Sequence, residues 1–88
     1  MPALALIPPL DLCKILEADG FHVVYEDHFN WWFARAATDV PFNVPKEPGQ
    51  DGNVSFNVME NALFEAHIDH HRYFALKEMA FGSKKQPN

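Results

Sequence analysis

Between Pro8 and Gly20, the apolar residues Leu12, Ile15 and Leu16 recur at the three- and four-residue spacing of one helix face. Proline is tolerated in a first helical turn, where the missing N–H had no partner to lose. Gly20 can adopt a left-handed conformation, which ends the helix and lets Phe21 fold back on Leu16. The stretch PPLDLCKILEADGF therefore predicts a first helix. The pattern then shifts to short runs rich in β-branched and aromatic residues. HVVYED and NWWFARAA, on either side of the polar DHFN, predict a strand, a turn and a second strand. TDVP makes a bend, and FNVP alternates apolar and polar residues as a short third strand.

KEPGQDGN, with two glycines and a proline, reads as a mobile loop. Asn57 with Glu60 three places on resembles a capping box and opens a helix through VMENALFEAHI. Asp69 caps a further helix, HHRYFALKEMAF, closed by Gly82; the pattern leaves open whether the two helices are one. The order α-β-β-β-α, with this possible C-terminal helix, predicts an α+β fold. Its economical packing is a two-layer sandwich, a three-stranded antiparallel sheet with helices on one face. Residues 1–82 form one domain and GSKKQPN reads as a disordered polar tail, so residues 83–88 are set apart.

A sheet covered on one face leaves the other open. With a period of two, Trp31 and Phe33 point to one side and Asn30, Trp32 and Ala34 to the other. Both tryptophans cannot pack under the same helices, so Trp32 is the one expected to be exposed.

Charge narrows the choice of partner. Of 7 lysines and arginines, two (Lys84 and Lys85) lie in the tail; the remaining five face 12 carboxylates, a formal charge of −7. Chains that grip a phosphate backbone carry the opposite sign, because their cations must replace condensed counterions. RNA binding is therefore disfavoured. The opening MPALALIPPL is short and broken by Pro8 and Pro9, and no apolar run reaches the roughly 18 residues of a membrane span, which predicts a cytoplasmic protein. The single cysteine, Cys13, sits among helix-core residues and reads as a small buried hydrophobe rather than a catalytic thiol.

The order of elements, together with LCKILEADGFHVVYEDHFNWWF and FNVP, resembles the HicA family of small toxins from toxin–antitoxin pairs. The resemblance spans residues 10 to 74. It implies a double-stranded-RNA-binding-like fold and an mRNA interferase that cleaves RNA with one histidine. The family signature of Gly-Ser-His, with an aromatic three places after the histidine, aligns here with His28, Phe29 and Asn30, and with Phe33 in the aromatic position. Asn30 thus occupies the histidine slot. An amide can hold a phosphate or a ribose but cannot shuttle a proton near neutrality. His28, two residues earlier, would share a strand side with Asn30 if the strand extended that far, and a shifted register would restore the chemistry.

A second cluster lies in EAHIDHHRYF, where His67 and His71 are four apart, with Glu65, Asp69 and His70 close by. On a continuous helix they would form half a zinc site; the alternative is a polar, pH-sensitive helix surface. No third and fourth ligand is evident, and no cofactor is expected. These residues predict a non-catalytic, HicA-like protein that binds a protein partner, with Trp32, Asn30 and Arg35 in the contact. The partner would be an antitoxin or a nucleic-acid-handling protein whose basic surface is occupied and inhibited. The alternatives are an active interferase using His28, and a homodimer formed through the open sheet face.

Overall fold

A computed structural model describes residues 5–36 and 38–82. The tail assigned to residues 83–88 lies outside them. The elements run α1 (Pro9–Ala18), β1 (His22–Glu26), β2 (Asn30–Ala34), β3 (Phe42–Pro45), α2 (Phe56–Glu65) and α3 (His70–Phe81). The three strands form one antiparallel sheet in the order β1-β2-β3. The α+β expectation and the antiparallel sheet with helices packed on it both hold.

α1 ends as its residues dictate. Gly20 sits at φ +96, its N–H donates to Glu17 O, and the Phe21 N–H donates to Leu16 O at 3.1 Å. These bonds close the last turn of α1 and fold Phe21 onto the core. α2 begins two residues before the expected Asn57 cap. Ser55 is the N-cap, its hydroxyl accepting from Val58 N–H at 3.2 Å. Asn57 is already inside the first turn, and Glu60 reaches His70 of α3 instead, at 3.3 Å. Asp69 does cap α3, accepting from Arg72 N–H at 2.7 Å. Gly82 closes that helix with right-handed dihedrals, φ −65.

α2 and α3 are separate helices. His67 is in the left-handed region at φ 59, and Ile68 N–H donates back to Leu63 O at 2.9 Å. β2 is shorter than NWWFARAA, because Ala36 N–H turns to the Asp39 carboxylate and Asp39 N–H to Ala36 O. The segment KEPGQDGN makes an internally bonded turn, with Gly49 N–H donating to Asn53 O at 2.8 Å.

The core is one cluster between sheet and helices. Leu12, Ile15 and Leu16 of α1 meet Phe33 and Val44 of the sheet, Met59 and Leu63 of α2, and Leu76 of α3, all buried. Each large side chain so buried contributes about 2 kcal/mol. Phe42 stacks beside Phe33 at 6.2 Å and meets the edge of Phe21 at 5.4 Å. Among the described residues no helix is long and apolar enough to cross a membrane.

Candidate binding face

Register decides which side chains share the face away from the core. Phe33 is fully buried, so Trp32 points the other way. Trp32 is opposite Tyr25 of β1 and Asn43 of β3, and Asn30 is opposite Pro45. One side of the sheet thus gathers Tyr25, Trp32, Asn30 and Asn43. The Asn43 amide donates to Asn30 Oδ1 at 3.0 Å. Beyond the strand edge, Asn43 and Pro45 continue into a groove of about 220 Å³ shared with Asn57, Val58 and Asn61 of α2.

Trp32 lies on the outer face as expected, but it is half-buried rather than exposed. Its indole N–H donates to Asp27 Oδ2 at 3.3 Å. The other oxygen of Asp27 accepts from Phe29 N–H at 2.9 Å and Asn30 N–H at 2.8 Å, which folds DHFN into the hairpin turn. These donors, led by the Phe29 N–H, hold the Asp27 carboxyl below its usual range. Phe56 and Phe64 of α2 are exposed elsewhere; the exposed aromatics of the hairpin are Tyr25, at 60%, and Phe29, at 70%. Sequence reasoning missed them. Cross-strand pairing of Tyr25 with Trp32 was the available signal, but it depends on a register that only the folded hairpin sets.

Trp31 faces the helices, packs against the core, and carries the Lys46 ammonium 5.7 Å above its ring. It floors a separate apolar groove of about 320 Å³ with Pro8, Pro9, Leu10 and Pro48.

The candidate catalytic histidine is not where a shared strand face would put it. His28 lies in the turn, before β2 begins at Asn30, and its exposed ring meets the edge of Phe29 at 4.8 Å. Arg35 is committed elsewhere. Its guanidinium ion-pairs with Asp19, donates to the Asp19 carbonyl at 3.2 Å and lies 4.2 Å over the Phe21 ring. Arg72 of α3 binds the same carboxylate at 2.8 Å, so the Asp19 side chain, only 6% exposed, joins the end of α1 to α3 and to the residue that follows β2. Lys46 pairs with Glu26. Three of the five cations of the described residues are therefore held by carboxylates.

The His67 and His71 pair is not brought together on one helix. The left-handed residue at His67 breaks the run, His71 lies in the first turn of α3, and Asp69 is occupied as the cap. Among the described residues no group of three or more His, Cys, Asp or Glu side chains is placed to hold a metal ion. Cys13 is buried, and burial together with the nearby Glu17 pushes its thiol up to about 12, so it stays protonated near neutrality. No protein-family model, curated protein or solved structure matches the chain.

Proposed function

We propose that this chain is a non-catalytic, cytoplasmic binding protein of HicA-like lineage that engages a protein partner through the sheet face bearing Tyr25, Trp32, Asn30 and Asn43. The observation that carries the reading is the Tyr25–Trp32 pair beside two linked amides, on a face the helices leave uncovered. Tyrosine and tryptophan supply large contact area at low entropic cost, and asparagine supplies adaptable hydrogen bonds. The formal net charge of −5 selects a basic partner surface, such as the groove of a nucleic-acid-handling protein, which the acidic chain would occupy and inhibit. Arg35, expected in the contact on sequence grounds, is half-exposed and ion-paired with Asp19.

The second reading, an RNA-cleaving interferase, draws support from the solvent-exposed ring of His28 at the hairpin tip. The cations it needs are scarce, since Arg35, Arg72 and Lys46 are already paired.

One comparison tests both. Immobilised wild-type chain and a Tyr25→Ala/Trp32→Ala variant are exposed to the same cell extract, and retained proteins are eluted with rising salt. The proposal expects a basic protein retained only by the wild type and released as screening increases. Identical retention by both forms would overturn it. RNA cleavage that is lost in His28→Ala would install the interferase reading in its place.

A further inference from the structure

β1 is an outermost strand, bonded to β2 on one side and to no described strand on the other. All five of its residues are exposed, including Val23 at 38%, Val24 at 43% and Tyr25 at 60%. Free edges are usually blunted by proline, by lysine or by a covering element. β3, the opposite edge, has Pro45 and the neighbouring α2. β1 has neither a proline nor a lysine, and its sequence, HVVYE, is strongly β-forming.

The one irregularity of β1 is a register shift between Val23 and Tyr25. Asp27 N–H bonds Asn30 O, so in the alternating antiparallel pattern Tyr25 faces β2 and the backbone of Glu26 faces outward. Upstream of the bulge the alternation restarts one residue out of step. An outer edge interrupted in this way is a poor template for long, flat pairing with a second copy. Two chains of formal charge −5 also repel. A short extended segment from a partner meets neither obstacle, and cations on it are attracted to the net acidic chain.

We propose that β1 accepts a short, extended segment of a protein partner as a fourth strand, and that this segment carries lysine or arginine. The inference rests on the binding reading above and adds a second contact surface, the sheet edge beside the aromatic face. Backbone hydrogen bonds would give the affinity and charge would choose the partner.

The test uses the full isotope-labelled chain and two end-blocked peptides, one alternating lysine with valine and one alternating glutamate with valine. The lysine peptide should shift the amide signals of residues 22–26 and slow their hydrogen exchange. Its affinity should be at least tenfold above that of the glutamate peptide and should fall as salt is raised. Val24→Lys, which keeps the backbone donor but adds a repelling charge, should weaken the lysine peptide at least fivefold. Glu26→Pro, which removes the outward-facing donor, should abolish edge protection, with tryptophan fluorescence reporting that each variant is folded. Equal binding of both peptides, or shifts centred on Asn30 and Trp32 alone, would overturn the proposal. So would protection of β1 that appears without peptide as the chain self-associates. The extract retention described above reads the aromatic face and the amide shifts of residues 22–26 read the edge, so failure of the aromatic face and failure of the edge are separately visible.

Discussion

The indole N–H of Trp32 donates to the carboxylate of Asp27, five residues earlier, while that same carboxylate holds two backbone N–H groups of the turn between them. The hairpin tip and the aromatic face are thus set by one acidic group. Because hydrogen bonding lowers the Asp27 pKa in the fold, its contribution to stability is present above the unfolded aspartate value of about 4 and disappears as pH falls through the lower folded value. Acidification below about pH 4 should therefore change Trp32 fluorescence in wild type. Asp27→Asn should remove that acid-dependent step, and an unchanged titration in the variant would refute the assignment.

Asp19 ties two arginines from different elements, and its own side chain is nearly buried. Asp19→Ala should lower stability by about 1–2 kcal/mol in chemical denaturation, a figure discounted because both guanidinium groups are about half exposed. Arg35→Ala in the Asp19→Ala background should cost less than in wild type. Additive effects would mean that the ion pair is not an energetic unit.

His67 occupies a left-handed position that glycine adopts freely. His67→Gly should stabilise the protein by about 0.5–1 kcal/mol. A loss of stability would show that the imidazole makes a contact of greater value than the backbone relief.

Tyr73 is fully buried, and its hydroxyl is the single buried side-chain polar atom without a hydrogen-bond partner among the described residues. Burial, with the nearby Asp11 carboxylate, raises its pKa. Tyr73→Phe removes an unsatisfied polar group and should be neutral or stabilising by about 1 kcal/mol in thermal unfolding. Destabilisation beyond about 1 kcal/mol would reveal a partner for the hydroxyl.

The elements whose residues carry local signals were legible from composition and spacing. Gly20 after a 3.6-residue pattern, Asp69 before HHRYF and the alternation of FNVP each act within a few residues, and each appears in the fold. The N-cap at Ser55 was overlooked because Asn57 also satisfies the cap pattern, and only the position of the first buried turn separates them. The separation of α2 from α3 was left open because histidine rarely takes a left-handed conformation, so no glycine advertised the break. The candidate site was less readable. Alternation correctly placed Trp32 opposite Phe33, but the roles of Arg35 and Asp19 depend on contacts 16 residues apart and, for Arg72, 53 apart. The exposure of Tyr25 follows from β1 lying at the sheet edge, a property of topology rather than of its own residues.

Asp19 and Arg72 are 53 residues apart, a separation that bears on when their ion pair forms. The β1–β2 hairpin closes over three residues, whereas the clamp must draw the last helix back to the end of the first and bear the entropy of a long loop. Fastening after the folding barrier is the expectation that this separation sets: Asp19→Ala should leave the refolding rate almost untouched and hasten unfolding, and a slowed refolding limb in stopped-flow would overturn it. On that expectation, the carboxylate that joins the end of the first helix to the last helix governs chiefly how long the native state lasts.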